Sequence, residues 1–429
     1  MKKLFIGIIM FTILNMNINT AKAEPLNIDA KAYILIDSKT GQVISEYNAD
    51  QKLYPASTTK IMTAIIGIEN ADPEQLMTVS QYAINNIGPG GMNIGLLPGE
   101  QLKFKDVLNA LLVRSANETA YVIAENVGPT PEAFFAKMNQ RAKELACTNT
   151  NFVNPCGMDT DEASQNHLTT ARDLSLMAKH AMTLPLFKEI VKKTSCTIPP
   201  TNMHNEAYTL PSTNKLFYGK YSSKYYNEVT GIKTGYTVRA SFNLVSSAKN
   251  EEGMELISVI LGCPNSEGIY QSSKDLLEYG FKNYSMQNLI AANSFVTSVR
   301  VADASYNPNL NIVAAEDLKC ILPNEPTNQA DISEDIKINK NITAPIKEGA
   351  VLGSIEYKQA GISIGKVNLV ASRNVERILA TPTPPRIITS FGNSIYKKVL
   401  LTIFAVIIGF LALRTILRKI SRNRRLNRF

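Results

Sequence analysis

The chain has 429 residues, 45% of them hydrophobic and 19% charged, which is enough for two or three globular domains. Its formal net charge of +8 comes from the two ends, because the part between the first 23 and the last 33 residues carries about −4. A basic nucleic-acid-binding face is therefore not expected, and we predict no nucleic-acid partner.

The first residues are typical of a cleavable secretory signal. Two lysines precede an apolar run over Leu4–Leu14, and the small-residue pattern Ala21-Lys22-Ala23 follows. We predict a signal peptide at residues 1–23 and an exported chain that begins near Glu24. A retained N-terminal anchor is disfavoured, because the apolar run is shorter than the roughly 20 residues that span a bilayer.

A β-hairpin is predicted next. The stretch AYILIDSKTGQVISEYN reads as two short strands on either side of Ser38–Gly41. It contains a first Lys-Thr-Gly, residues 39 to 41, whose turn chemistry suits a hairpin tip. This copy of the tripeptide therefore has a structural explanation.

A helical region follows. From Thr58 the apolar residues are spaced as on a helix, with Ile61, Met62 and Ile65 on one face. Further helical patterns cover Phe104–Glu125, Pro131–Leu145 and Thr170–Met182.

From Val229 the spacing of the apolar residues changes from the helical period to that of strands. The stretch GIKTGYTVRASFNLVSSAKNEEGMELISVILG predicts two adjacent strands joined at Asn250–Gly253, and a helix over Ser272–Tyr279 follows. Strands on both sides of a helical block predict one sheet assembled from both ends of this region, with helices against it. We therefore predict an α/β (α+β) domain over 24–285, with a mainly antiparallel sheet.

The remaining sequence divides into four predicted segments. Residues 288–380 alternate short strands and turns, which predicts a small all-β domain, and the Pro-rich residues 381–394 form a linker. Residues 395–417 are a predicted membrane helix, and 418–429 a basic tail that stays in the cytoplasm while the domains before it lie outside. The alternative is a basic helix lying flat on an anionic membrane.

Cysteines and histidines give little sign of a metal or a cofactor. The cysteines are odd in number and form no C-x-x-C pair, so a zinc site is disfavoured and no cofactor is predicted. A disulfide remains open. The three histidines have unrelated contexts, which gives a Ser-His-Asp triad only weak support. The cysteines are Cys147, Cys156, Cys196, Cys263 and Cys320, and the histidines are His167, His180 and His204.

Two Ser-x-x-Lys sequences occur, and their secondary structure distinguishes them. Ser57 and Lys60 fall at the start of a helical pattern, where residues three apart share a face. Ser246 and Lys249 fall on a predicted strand and point to opposite faces. A serine nucleophile needs an adjacent base, and a lysine serves once burial or positive charge lowers its pKa. The amide of Ser57 is a candidate oxyanion donor.

Two further motifs complete a possible site. Ser115 and Asn117 form a Ser-x-Asn at a break between apolar helical runs, where both side chains can enter a cleft. The second Lys-Thr-Gly, Lys233-Thr234-Gly235, starts a predicted strand. Its lysine would supply positive charge, its threonine a bond to a substrate carboxylate, and its glycine close approach to the backbone. The amide of Tyr236 is the second candidate oxyanion donor.

The order Ser57, Ser115, Lys233 resembles that of the penicillin-recognising serine enzymes. The stretches YPASTTKIMTA, LLVRSANETA, TNTNFVNPCGMD, LTTARDLSLMAKHAM, GIKTGYT and DLLEYGF resemble the low-molecular-mass penicillin-binding proteins that are D-alanyl-D-alanine carboxypeptidases. The resemblance runs from about Ala32 to Phe281. It implies a penicillin-binding, β-lactamase-like transpeptidase fold, with a C-terminal β domain and membrane anchor.

The resemblance also implies chemistry. Ser57 would attack the penultimate carbonyl of peptidoglycan stem peptides ending in D-Ala-D-Ala, Lys60 would take its proton, and β-lactams would acylate Ser57. In this family the serine and asparagine of the second motif assist proton transfer and substrate placement, and the lysine and threonine of the third bind substrate. One departure is Ile269, at a position where relatives carry an arginine that helps to hold the substrate carboxylate; Arg239 is a possible substitute.

Two alternatives remain. A β-lactamase of the same fold needs a Glu-x-x-Leu-Asn context for deacylation, which the sequence does not contain; an endopeptidase is a related possibility. The other is a catalytically weak, membrane-anchored protein that binds peptidoglycan.

Overall fold

The structure is a computed structural model that describes residues 26–218, 226–325, 332–359, 361–378 and 393–426. The predicted signal peptide lies outside the described residues, as do most of the Pro-rich linker and the last three residues of the basic tail.

Helices and strands alternate in blocks along the described chain. The helices are α1 (Lys60–Asn70), α2 (Gln81–Asn85), α3 (Phe104–Asn109), α4 (Asn117–Val127), α5 (Pro131–Glu144), α6 (Ala171–Ala181), α7 (Pro185–Val191), α8 (Gly268–Asn283) and α9 (Asn393–Leu426). The strands are β1 (Ala32–Asp37), β2 (Val43–Tyr47), β3 (Leu76–Thr78), β4 (Gln101–Lys103), β5 (Ser195–Ile198), β6 (Tyr208–Pro211), β7 (Val229–Thr237), β8 (Ser241–Lys249), β9 (Glu255–Cys263), β10 (Tyr284–Ile290), β11 (Phe295–Arg300), β12 (Asn309–Ala314), β13 (Leu318–Pro323), β14 (Ile332–Ile338), β15 (Val351–Gln359) and β16 (Ile362–Ala371).

The central sheet is antiparallel and joins both ends of the first domain, as predicted. Its strand order is β2-β1-β9-β8-β7, so the N-terminal hairpin pairs with β9 from the far end of the region. Alternate residues of β1 face opposite sides: Ile34 packs among the central helices, and Leu35 packs against α8. Both faces of the sheet are therefore buried, which explains why β9 reads as a continuous apolar run.

The prediction of two strands from Val229 onward was wrong in their number. The segment forms three strands, β7, β8 and β9, because the chain also reverses at Val238–Ala240. That turn contains no Gly, Pro, Asn or Asp, so it carries no turn signal in the sequence. Ser241, at the start of β8, accommodates the reversal with a φ of +58°.

The long helical region predicted over Phe104–Glu125 is interrupted. It consists of α3, a π-helical turn over Ala110–Arg114, and α4. Ser115 lies between them with a left-handed φ of +68°, so the break expected at the Ser-x-Asn motif is present.

The first Lys-Thr-Gly lies in the β1–β2 turn, as predicted. The carboxylate of Asp37 accepts hydrogen bonds from the backbone N–H and the hydroxyl of Thr40, and Gly41 has a φ of +81°. Gly41 thus supplies the left-handed conformation that this turn requires.

Strands β10 to β16 form an all-β unit after α8. Five of them make an antiparallel sheet in the order β11-β12-β16-β15-β14, and β10 pairs with β13. A separate apolar cluster that includes Leu310, Ile355 and Leu369 fills the unit. Beyond it, α9 contains Ile395–Ser421, 27 residues that are long and apolar enough to cross a membrane by length and composition.

Candidate active site

Ser57 is presented by a tight turn at the start of α1. Residues 56 to 59 form a 3-10 turn that leads directly into α1, so Ser57 and Lys60 share one side of the helix. Ala56 has a left-handed φ of +49°, a costly conformation for a residue with a side chain. A Cβ at Gly157 would lie 1.8 Å from the Ala56 carbonyl oxygen, so a glycine there lets the neighbouring segment pack against this turn.

The Lys60 amine is fully buried and lies at the centre of the candidate site. Its Nζ is 2.8 Å from Ser57 Oγ, 2.7 Å from Asn117 Oδ1 and 2.8 Å from the Cys156 carbonyl oxygen. These acceptors fix the amine beside the serine hydroxyl. The Ser-x-x-Lys spacing thus places the Lys60 amine within hydrogen-bond reach of the Ser57 hydroxyl, which is the geometry that a serine nucleophile and its base require.

Burial changes the proton affinity of both site lysines. It lowers the pKa of Lys60 from 10.5 to about 8, against the opposing effects of Cys156 and Glu118. Burial, and then the charge of Lys60, lowers the pKa of Lys233 well below its ordinary value. Burial rather than Lys233 is therefore the leading cause of the shift at Lys60, and the pair resists carrying two positive charges.

Asn117 contacts Lys60 at the start of α4, and Ser115 lies at the break just before this helix. Asn117 also donates from Nδ2 to the Ile87 carbonyl oxygen at 2.8 Å. Its backbone N–H donates to the Met92 carbonyl oxygen at 2.7 Å. The neighbouring Glu118 is buried, and its Oε1 accepts the Ile94 N–H at 2.7 Å. The start of α4 therefore holds the loop that forms one lip of the cleft.

The second Lys-Thr-Gly lies on β7, opposite the serine turn. A Cβ at Gly235 would lie 3.0 Å from the Pro55 carbonyl oxygen and 3.2 Å from the Ser57 nitrogen, so β7 and the turn are packed closely. Thr234 Oγ1 is 2.7 Å from Thr213 Oγ1. The side chain of Tyr236 is exposed and stacks on Phe242, with ring centroids 4.4 Å apart.

The three motifs border one cavity of about 300 Å³. Ser57, Ser115, Asn117, Thr234, Gly235 and Tyr236 line it. Lys60 and Lys233 lie behind its wall and are at most 1% exposed. All eight residues of the sequence-predicted site therefore belong to one cleft between the sheet and the central helices.

Comparison with known proteins agrees with this arrangement. A family described as D-alanyl-D-alanine carboxypeptidase, peptidase S11, matches residues 18–265, which is more than half of the chain. The chain belongs to this family. It is a serine carboxypeptidase of the low-molecular-mass penicillin-binding type, and the predicted penicillin-binding fold is confirmed. A second family, the C-terminal domain of penicillin-binding protein 5, matches residues 284–377.

Individual relatives span nearly the same length. D-alanyl-D-alanine carboxypeptidase DacF of Bacillus subtilis is 30% identical over 81% of this chain and 86% of its own. DacC of Escherichia coli is 31% identical over 82% and 86%. The crystal structure of penicillin-binding protein 5 from Haemophilus influenzae superposes with a TM-score of 0.65 at 28% identity, covering 82% of this chain and 99% of that one.

Several residues that support this candidate site were missed by sequence reasoning. His167 is fully buried and accepts the Val153 N–H at Nδ1, 3.1 Å away, so its Nε2 donates to Thr59 Oγ1 at 2.8 Å. Burial lowers the pKa of His167 to about 3, so the ring stays neutral. His167 therefore joins the segment before Cys156 to the 3-10 turn that precedes α1, and it is not a partner of Ser57 in a triad.

The cysteines do not form a disulfide in the described residues. All five are buried free thiols. Cys156 contributes through its backbone, because its carbonyl oxygen accepts a hydrogen bond from Lys60. Such a role depends on chain position and not on side-chain type, so no motif search reveals it.

Asn243 is a third missed residue and ties the turn that carries Ser57 to the sheet. From β8 its Nδ2 donates to the carbonyl oxygens of Tyr54 at 2.9 Å and Pro55 at 3.0 Å, and its Oδ1 accepts the Gly262 N–H at 2.8 Å. It is 2% exposed. Asn243 thus fixes the residues that immediately precede Ser57.

We expect Asn243→Ala to lower the free energy of unfolding by about 2–4 kcal/mol, because it removes the buried hydrogen bonds to the Tyr54 carbonyl and the Gly262 N–H and one of those to the Pro55 carbonyl. Urea unfolding measures the change. Asn85→Ala, which removes an exposed amide from α2, is the matched control and should shift stability by less than about 0.5 kcal/mol. Equal stability of the two variants would show that these three hydrogen bonds are not needed.

Proposed function

We propose that this carboxypeptidase removes the terminal D-alanine from peptidoglycan stem peptides ending in D-Ala-D-Ala, through an ester on Ser57. The supporting observation is the buried contact of 2.8 Å between Lys60 Nζ and Ser57 Oγ. Neutral Lys60 takes the hydroxyl proton as Oγ forms a bond with the penultimate carbonyl carbon. Lys60 is thus the base of the proposed route, which uses neither a metal nor a cofactor.

The carbonyl oxygen becomes an anion during this attack and needs two donors. The backbone N–H groups of Ser57 and Tyr236 serve as these donors. Gly235 packs so closely against the turn that a Cβ added to it would lie only 3.2 Å from the Ser57 nitrogen, and this close packing supports the positions of the two donors. A larger residue at 235 would force the two donors apart.

Collapse of the intermediate breaks the peptide bond. Ser115 passes the proton to the departing amine, so that free D-alanine leaves. Asn117 holds the substrate backbone while Thr234 binds the substrate at the other wall, behind which Lys233 is buried. Water then hydrolyses the ester, releasing the shortened peptide and restoring the Ser57 hydroxyl.

β-Lactams follow the first half of this route. Ser57 opens the lactam ring, and the amine it releases stays attached to the ester. The leaving group therefore does not vacate the cavity, which supports our proposal that β-lactams are covalent inhibitors.

Location and domain limits complete the proposal. The signal at 1–23 directs export, 24–285 is the catalytic domain, and 288–380 is the β domain, in keeping with the separate matches to 18–265 and 284–377. Residues 381–394 link this body to the anchor at 395–417, and 418–429 form the cytoplasmic tail. The length and composition of Ile395–Ser421 support a spanning anchor over one that lies flat.

The direct test is to incubate the full-length chain, in detergent, with diacetyl-lysyl-D-Ala-D-Ala and to measure D-alanine. We expect catalytic release that stops when benzylpenicillin is added, and a penicillin adduct on the Ser57 peptide by mass spectrometry. A folded protein that takes up penicillin but releases no D-alanine would instead be a peptidoglycan-binding protein.

A further inference from the structure

A carboxypeptidase acts next to a free carboxylate, and that group must be recognised in the cleft. An arginine or lysine is the usual partner for a carboxylate in a protein site. Among the described residues that line the cavity, only Lys215 carries a charged side chain. Neither Lys60 nor Lys233 reaches the lining, because both are buried behind it.

Lys215 is available for a ligand. It is exposed at the start of a 3-10 turn over Lys215–Phe217, and no carboxylate among the described residues forms an ion pair with it. By contrast, Lys233 donates its Nζ to the Thr234 carbonyl oxygen at 3.0 Å. The cavity thus has one uncommitted cation in its described lining.

The backbone that carries Lys215 is held in place. Thr213 donates its N–H to the Val113 carbonyl oxygen at 3.0 Å, and its own carbonyl oxygen accepts the Tyr270 hydroxyl at 3.3 Å. Asn214 caps the 3-10 turn by accepting the Leu216 N–H at 3.1 Å. The segment is therefore fixed between the π-helical turn and α8 before any substrate arrives.

Thr213 adds a second feature. Its hydroxyl lies 2.7 Å from that of Thr234, and Thr213, Thr234 and Lys215 all line the cavity. A carboxylate accepts hydrogen bonds at both oxygens, and the ammonium group together with the hydroxyl proton that the Thr213–Thr234 bond leaves free supplies donors for both.

Other candidates for the cation fit less well. Arg239 is exposed at the β7–β8 turn, with its guanidinium carbon 6.0 Å from the centre of the Tyr54 ring, and it does not line the cavity. Ile269 lines the cavity but is apolar and 3% exposed. Neither residue can replace Lys215 in the observed arrangement.

We propose that Lys215, with the hydroxyls of Thr213 and Thr234, binds the terminal carboxylate of the D-alanine that leaves. This assignment rests on the proposed carboxypeptidase function and names a specificity-determining residue for it. It makes Lys215 responsible for the preference for a free C-terminus.

The test compares two peptides, diacetyl-lysyl-D-Ala-D-Ala and the same peptide ending in D-alaninamide. Both give the same shortened peptide, which chromatography quantifies for the full-length chain in detergent. Lys215→Ala should lower kcat/KM for the free acid about tenfold, the order expected for one charged hydrogen bond at an exposed site. It should leave kcat/KM for the amide unchanged, and Lys215→Arg should restore most of the activity on the acid.

Lys143→Ala, which removes an exposed lysine from α5, is the matched control and should affect neither peptide. Equal losses on both peptides would assign Lys215 a structural role, and no loss on either would mean that it does not bind the carboxylate; each result overturns the proposal. Wild-type release is measured in the same series, so a failure of the carboxypeptidase function itself would be seen separately.

Discussion

Ser57→Ala is expected to abolish D-alanine release, with a fall in kcat of about 10⁴-fold or more, as when other serine hydrolases lose their nucleophile. The reason is chemical, because no other hydroxyl in the described residues is placed 2.8 Å from the buried Lys60 amine. The fold should survive, since the Ser57 side chain is half-buried and the turn is held by Asn243.

D-Alanine release and labelling by a fluorescent penicillin measure this effect. Ser195→Ala, which removes an exposed hydroxyl from β5, is the matched control and should behave as wild type. Penicillin labelling that persists at full extent in the Ser57→Ala protein would show that another residue is the nucleophile.

Local patterns were sufficient to predict the elements that carry the site. Helical spacing after Thr58 placed Ser57 and Lys60 on one face, and a break in apolar periodicity marked Ser115. Sheet formation between the N-terminal hairpin and the later strands followed from the order of helical and strand blocks. The two-residue period of a strand likewise excluded Ser246 as the serine of the catalytic Ser-x-x-Lys motif. In the structure Ser246 is buried between β9 and α8, and its hydroxyl is 2.8 Å from that of Ser258.

Contacts between distant segments could not be predicted in this way. Asn243 reaches the residues before Ser57 across almost two hundred positions, and Thr213 meets Thr234 because a loop returns to the edge of the sheet. The Cys156 carbonyl is a backbone group, which no side-chain pattern reveals. Each depends on tertiary packing that periodicity and turn chemistry do not encode.

Lys60→Met should lower the rate of Ser57 acylation by about 10³-fold, within the range of general base catalysis. Methionine is close to lysine in length and suits a fully buried position, but it cannot accept a proton. Penicillin labelling with time gives the acylation rate. Lys60→Arg keeps a positive charge that does not titrate in proteins, so it should be as inactive as the methionine variant. Retained activity in Lys60→Arg would mean that charge, and not proton acceptance, is what Lys60 provides.

The pH dependence follows from the same group. Lys60 must be neutral to act, so wild-type kcat/KM should rise about tenfold per pH unit below pH 8 and level off above it. With a pKa lowered from 10.5 to about 8, roughly a tenth of the enzyme is active at pH 7, compared with less than about one part in 10³ at the ordinary value. The residual activity of Lys60→Met should lack this rise, because the titrating amine is gone. A rise through pH 8 that persists in the methionine variant would assign the essential pKa to another group.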